Sequence, residues 1–199
     1  MKTQIERDIS PAARHGLELA LVGVAAIWGA TFVTVKNAVE HVPVFEFLAL
    51  RYALAAVLLT AIFWRQARGL GRDGVRAGLL AGGFLFAGYT AQTIGLQYTR
   101  ASNAGFVTGL FVVIAPILST LVLKRRPSVG PVIGVVLATV GLALLSLTNG
   151  FHIRYGDAIV LLAALSFACH IVVLGRYSPQ YSPAGLTVVQ MSVAAVAAA

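Results

Sequence analysis

The amino-acid sequence predicts an all-α protein, a polytopic transmembrane helical bundle. Apolar residues make up 58% of the 199 residues and charged residues only 11%, against about 45–50% and about 25% in ordinary soluble domains. The apolar residues are gathered into runs of about 20, the length that a helix needs to cross about 30 Å of hydrocarbon. The runs are rich in Ala, Leu, Val and Gly and do not alternate with polar residues, which favours helices over the strands of a membrane barrel.

Seven spans are predicted: Leu17–Val39, Val44–Trp64, Val75–Tyr98, Ala101–Leu123, Val129–Leu147, Gly156–Gly175 and Pro183–Ala199. The first span follows a polar tail, residues 1–16, and ends before the turn at Pro43. The second ends at a loop, residues 65–76, that carries arginines and three glycines. Such polar and turn-forming residues mark the boundaries between membrane helices.

The later boundaries follow the same rule. Arg100 separates the third span from the fourth, and the segment 124–127, Lys-Arg-Arg-Pro, ends the fourth. Asn149-Gly150 ends the fifth span, Ser178-Pro179 follows the sixth, and Pro183 begins the seventh.

Basic residues predict the orientation in the membrane. Most of the 15 Lys and Arg residues lie in the N-terminal tail and the even-numbered loops: Lys2, Arg7, Arg14, Arg65, Arg68, Arg72, Arg76, Lys124, Arg125, Arg126 and Arg176. Cytoplasmic loops carry an excess of Lys and Arg. We therefore expect a multi-pass protein of the plasma membrane, an inner membrane in bacteria, with a cytoplasmic N-terminus.

The chain also shows signs of an internal duplication. Glu18 and Trp28 in the first span are matched, at one common spacing along the chain, by Asp157 and Phe167 in the sixth. Pro43 and Pro183, which precede the second and seventh spans, are matched in the same way, and Arg51 falls opposite Gln190. A unit of five spans is odd, so its second copy inserts upside down, as in many secondary transporters. The expected organisation is a tail (1–16), a complete five-helix unit (17–148) and an incomplete second unit (156–199).

Two stretches carry a resemblance to a known family. The run AAIWGATFVTVKNAV followed by PVFEFLALRY, and the segment from GYTAQTIGLQYTRASNAGF to VGLALLSL, are similar to the EamA-type family of the drug/metabolite transporter superfamily. The resemblance covers residues 17–199. It implies ten helices in two inverted halves, around a central cavity lined by the first, third, fourth, sixth, eighth and ninth spans. Exporters of amino acids and metabolites are among the family's members.

Several other classes are disfavoured by the sequence. It contains no His-Glu-x-x-His, phosphate-binding loop, Gly-x-Gly-x-x-Gly or Gly-x-Ser-x-Gly motif, so neither an enzyme nor an ATP-driven pump is expected. Its single cysteine, Cys169, excludes a cysteine-based metal cluster. The +8 charge lies in short clusters between spans, which does not predict nucleic-acid binding. No cofactor and no metal are expected.

Polar and aromatic side chains within the spans are the candidates for a substrate cavity: Trp28, Thr31, Phe32, Tyr89, Gln92, Asn103, Phe106, Ser166 and His170. Candidates within the same span lie three or four residues apart and so share a helix face. The groups are Trp28 with Thr31 and Phe32, Tyr89 with Gln92, Asn103 with Phe106, and Ser166 with His170. Uncharged amides and histidine are costly in lipid and usually face the bundle interior. Hydrogen bonding between packed helices is the alternative explanation for the set.

Lys36, Arg51 and Pro116 are candidates for gating or anchoring. Arg51 lies within the second span, where it can extend outward, reach Glu46 or attract a substrate. Lys36 closes the first span, and Pro116 predicts a kink or hinge in the fourth. The glycine pairs Gly78/Gly82, Gly105/Gly109 and Gly130/Gly134 predict close helix packing, and a gap in the backbone that admits substrate is the alternative.

The leading hypothesis is a secondary transporter, a permease or exporter, of small organic metabolites such as amino acids. Its partners would be the lipid bilayer and a small-molecule substrate; a proton or another coupling ion, and a homodimer, are left open. A non-transporting, truncated membrane protein or assembly partner is the alternative.

Overall fold

The computed structural model describes residues 11–123, 129–148 and 154–199, and the regular structure of these residues is α-helical, without strands. The helices, in chain order, are α1 (Pro11–Val39), α2 (Val44–Arg68), α3 (Gly71–Tyr98), α4 (Ala101–Gly109), α5 (Phe111–Leu123), α6 (Val129–Thr148), α7 (Tyr155–Tyr177) and α8 (Pro183–Ala198). Each predicted span coincides with a helix or, for the fourth span, with the pair α4 and α5. The all-α prediction is confirmed.

Among the described residues, five segments are long and apolar enough to cross a membrane: His15–Val39, Val44–Arg68, Gly71–Tyr98, Ala101–Val122 and Tyr155–Tyr177. Two shorter apolar stretches lie in the other two predicted spans, Val132–Gly141 in α6 and Pro183–Ala198 in α8.

Helix α3 lies at the centre, with α7 and α8 packed against one face that is rich in small residues. A Cβ atom at Gly78 would lie 2.7 Å from Val189, and one at Gly82 would lie 2.9 Å from Val193. Small residues allow helix backbones to approach closely in lipid. The packing role predicted for Gly78 and Gly82 is confirmed.

The same prediction is wrong for Gly105 and Gly134. Among the described residues, no heavy atom outside the local backbone lies within 4 Å of a Cβ atom built at either residue, so no helix packs against these glycines there. The surroundings of Gly130 lie outside the described residues.

The fourth span is interrupted at Leu110, between α4 and α5, rather than at Pro116. Pro116 lies inside α5. Proline clashes with the carbonyl four residues before it, here Val112, and the break lies just before that point, next to Gly109. The kink predicted for Pro116 is therefore displaced toward the start of the span.

Helix α2 pairs with α8, where Gly185 approaches the Gln66 carbonyl oxygen so closely that a Cβ atom would lie 2.7 Å from it. A tight turn at Gly71, with φ of 65°, joins α2 to α3. The basic residues Lys2, Arg7, Lys124, Arg125 and Arg126 lie outside the described residues.

Candidate functional site

A cavity of about 490 Å³ lies between α1 and the broken helix formed by α4 and α5. Its walls are mainly aromatic and small: Ala25, Trp28, Gly29, Phe32, Val33, Ala101, Ser102, Gly105, Phe106, Thr108, Gly109 and Phe111. Glycine at 29 and 105 leaves space that a side chain would occupy, since nothing lies within 4 Å of a Cβ atom at either residue. Among its lining residues only Ser102 and Thr108 have polar side chains other than the Trp28 indole.

A series of aromatic contacts leads from this cavity into the bundle. The ring of Trp28 lies 5.8 Å from that of Phe111, between centroids, and Phe111 lies 6.4 Å from Phe167. Phe167 contacts Tyr89 edge-on at 5.0 Å, and Tyr89 contacts Tyr52 at 5.9 Å. These separations are those of favourable aromatic pairs. The series therefore joins α1, α5, α7, α3 and α2.

Gln92 is buried on α3, and its Nε2 donates a hydrogen bond of 3.0 Å to Thr108 Oγ1 on α4. Because Thr108 also lines the cavity, this amide lies directly behind the cavity wall. Asn103 is half-buried on α4 and is not among the lining residues.

Three of the predicted polar residues bond to backbone carbonyls. Thr31 Oγ1 donates to the Trp28 carbonyl at 2.6 Å and Ser166 Oγ to the Leu162 carbonyl at 2.9 Å, each within its own helix. His170 Nδ1 lies 3.0 Å from the Ala81 carbonyl of α3. Since a carbonyl only accepts, Nδ1 carries the proton and donates. The structure therefore brings Trp28, Phe32 and Phe106 to the cavity and leaves Thr31, Ser166 and His170 in helix contacts.

Lys36 anchors the end of α1 to the end of α3. Its Nζ donates to the carbonyl oxygens of Leu96 at 2.8 Å and Thr99 at 3.0 Å. These carbonyls belong to the last turn of α3 and the residue after it, where backbone acceptors lack helical partners and a cation is favourable.

The start of α7 is joined to the same point. Thr99 Oγ1 donates to Asp157 Oδ1, while the Arg154 backbone N–H donates to Asp157 Oδ2 at 2.7 Å. Asp157 is 4% exposed and Thr99 2% exposed. The contacts of Lys36, Thr99 and Asp157, called the end cluster below, hold three helices together at one end of the bundle.

Arg51 turns inward rather than toward Glu46. Its guanidinium carbon lies 5.1 Å from the centroid of the Tyr89 ring, within the range of a cation–π contact. In the described part of the chain no carboxylate forms an ion pair with Arg51.

Tyr52 is 2% exposed, and its hydroxyl oxygen has no hydrogen-bond partner among the described residues. Leaving a buried hydroxyl unpaired costs about 1–3 kcal/mol. Tyr52 and Arg51 both contact the ring of Tyr89.

The sequence did not single out Thr108, Phe111 or Tyr52. Tyr52 directly follows the candidate Arg51, and Thr108 lies two residues after the candidate Phe106. Their roles depend on contacts between helices, which no spacing within one span predicts. In the part of the chain that the structure describes, no group of His, Cys, Asp and Glu residues is arranged to hold a metal.

Comparisons with known proteins show a family to which the chain belongs. Residues 16–147 match the EamA-like transporter family. An uncharacterized transporter of Archaeoglobus fulgidus is 40% identical over 168 residues, which are 83% of this chain and 51% of the relative. The uncharacterized transporter YetK of Bacillus subtilis is 27% identical over 179 residues, 84% of this chain and 54% of YetK.

The chain thus spans about half the length of these curated relatives. No solved structure matches it.

Proposed function

Because the chain belongs to the EamA-like transporter family, we propose that the protein is a secondary transporter that carries a small organic molecule across the plasma membrane by alternating access. The relatives described above are named transporters rather than enzymes. Since the chain spans about half of their length, the proposal concerns the whole protein. In it, the first five spans form one unit, and α7 and α8 begin a second, inverted unit.

The cavity between α1 and α4 is the observation that carries this proposal. Its volume of about 490 Å³ lies within the range of about 300–1,000 Å³ that is typical of small-molecule sites. Aromatic walls with few polar groups are also typical of such sites. In the proposal, Trp28, Phe32 and Phe106 contact the apolar part of the substrate.

Polar recognition is assigned to Thr108 and, behind it, Gln92. The amide of Gln92 holds the Thr108 hydroxyl by donating to it, which leaves that hydroxyl's own proton available to a substrate. Tyr89 lies deeper along the aromatic series. The hydrogen bonds of Thr31, Ser166 and His170 support the packing interpretation for these three residues.

The end cluster gives alternating access a structural basis. Lys36, Thr99 and Asp157 connect α1, α3 and α7 at the end that is predicted from the positions of the basic residues to lie outside the cell. In the proposal, these contacts close that end and separate when the site opens outward. A few hydrogen bonds of this kind are compatible with a two-state closure, since each has a modest net free energy of about 0.5–3 kcal/mol.

A compound screen tests the proposed function. The full-length protein, as its gene encodes it, is expressed in a bacterial host, and the accumulation of a panel of labelled amino acids, organic acids and amines is measured with and without an uncoupler of the proton gradient. We expect at least one compound to change in accumulation. If no compound does so while the protein is inserted and folded, the proposed transport is wrong and a non-transporting assembly role is favoured.

A further inference from the structure

We propose that Arg51 and the Tyr52 hydroxyl form an anion subsite, and that the transported molecule carries a carboxylate on an aromatic or other apolar body. The proposal rests on the transport function proposed above, because it names the chemical class of the substrate. It concerns the end of the aromatic series at Tyr89 and Tyr52, whereas the cavity adjoins the other end, at Trp28.

The first argument is that Arg51 is half-buried within a span and that no carboxylate pairs with it among the described residues. The other cation of this region, Lys36, already donates to two backbone carbonyls. Both oxygens of Asp157, the buried acid of the described chain, are engaged by Thr99 and by the Arg154 backbone. Within the described ranges, the contact that Arg51 makes is with the face of the Tyr89 ring.

The second argument is the depth of Arg51. It lies about two turns into α2, roughly 10 Å along the helix axis at about 1.5 Å per residue, and it is half-buried. Ionisable residues within membrane spans are costly and usually line a path for a substrate or pair with another group. The positive charge of Arg51 therefore lies within the span without a negatively charged partner among the described residues.

The third argument is the neighbouring donor. Tyr52 is almost fully buried, and its hydroxyl has no hydrogen-bond partner in the part of the chain that the structure describes. Tyr52 and Arg51 contact the same ring, Tyr89, at 5.9 Å between ring centroids and 5.1 Å from the guanidinium carbon. A guanidinium and a phenol hydroxyl are both donors, and a carboxylate accepts from both, with charge-assisted hydrogen bonds to the arginine.

The remainder of the ligand follows from the surroundings. Tyr89, Phe167 and Phe111 continue from this position to the cavity beside Trp28. A molecule whose carboxylate meets Arg51 would lay its apolar part along these rings. A free metabolite and an anionic lipid share this chemistry, so the experiment includes both.

Calorimetric titration of the purified full-length protein in detergent tests the proposal with two probes of equal shape, 3-phenylpropionate and its neutral amide, 3-phenylpropanamide. We expect the carboxylate to bind more tightly than the amide. Arg51→Gln should weaken carboxylate binding by about tenfold or more, the effect of one charge-assisted hydrogen bond, and leave the amide unchanged. Arg65→Gln, an exposed arginine of the same helix, is the matched control.

A second variant separates ligand binding from folding. Tyr52→Phe removes an unpaired buried hydroxyl, so the free protein should melt at the same or a higher temperature, while carboxylate affinity should fall about threefold or more. Tyr98→Phe, at an exposed tyrosine, is the control. A structural role alone would not produce this division between stability and affinity.

Three outcomes would overturn the proposal: no binding of 3-phenylpropionate, equal binding of acid and amide, or unchanged acid binding in Arg51→Gln. Displacement of the probe by stoichiometric phosphatidylglycerol that depends on Arg51 would also overturn it, by assigning the subsite to lipid. Transport detected in the compound screen would survive any of these results, so failure of the subsite is distinguishable from failure of the proposed function.

Discussion

The ring of Phe167 on α7 lies so close to Gly88 on α3 that a Cβ atom at residue 88 would be 2.7 Å from Phe167 Cε1. Phe167 in turn contacts Tyr89 and Phe111. The position of the whole aromatic series therefore depends on the absence of a side chain at residue 88.

Gly88→Ala should destabilise the protein. The added methyl group forces Phe167 to shift, and overpacking of this kind costs about 1–3 kcal/mol. Thermal unfolding of the purified protein in detergent measures the effect. Gly83→Ala is the control, because nothing lies within 4 Å of a Cβ atom there and alanine favours helix by up to about 1 kcal/mol. Equal melting temperatures for the two variants would contradict the packing described for Gly88.

Gln92→Leu should leave insertion and folding nearly unchanged and reduce transport. The substitution removes the donor to Thr108, and side-chain hydrogen bonds between membrane helices contribute only about 0.6 kcal/mol on average. Transport of the compound found in the screen, normalised to folded protein, is the measurement. Normal transport at unchanged expression would show that Gln92 serves packing alone.

Thr108→Val tests the same contact from the other side. The double variant Gln92→Leu/Thr108→Val should lose less stability than the sum of the two single variants, since both remove one hydrogen bond. Additive losses would mean that the two side chains act independently.

Lys36→Met should lower stability by about 1–3 kcal/mol, because two carbonyls at the end of α3 lose a charged donor. Substrate affinity should change little, since the ammonium group is occupied by the backbone. Thermal unfolding and ligand titration of the same preparation separate the two effects. Arg100→Gln, an exposed cation nearby in the chain, is the control. A loss of affinity without a loss of stability would assign Lys36 to the substrate instead.

The predicted topology is tested by cysteine labelling on a Cys169→Ser background. The labelled positions are two exposed arginines, Arg72 in the loop predicted to be cytoplasmic and Arg100 in a loop predicted to be external. Leu70, in the same loop as Arg72, is only 4% exposed and is therefore a poor labelling position. In intact cells an impermeant maleimide should label the Arg100→Cys variant and spare Arg72→Cys. The reverse pattern would invert the orientation.

The type and approximate bounds of the helices could be predicted because the apolar runs and their polar separators are local features, but the division of the fourth span into α4 and α5 was not predicted. Trp28 and Phe32 were recognised for the same reason, since they share one helix face. The roles of Thr108 and Phe111 could not be predicted, because each depends on a residue of another helix. The glycine pairs show why spacing alone does not predict contacts between helices. Gly78 and Gly82 pack against α8, whereas Gly105 and Gly109, at the same spacing, line a cavity.

The central claim, that the cavity between α1 and α4 is the substrate site, is tested most directly by filling it. Gly105→Leu places an isobutyl group in the open space beside Trp28 and Phe106, whereas Gly134→Leu places the same group in open space on α6, away from the cavity. The measurement is the initial rate of uptake of the compound found in the screen into proteoliposomes that contain the full-length protein. The account predicts at least a tenfold loss for Gly105→Leu, about the effect of blocking a contact worth roughly 1.4 kcal/mol or more, and a rate near that of the unsubstituted protein for Gly134→Leu. Equal rates for both variants, at equal amounts of folded protein, would contradict it.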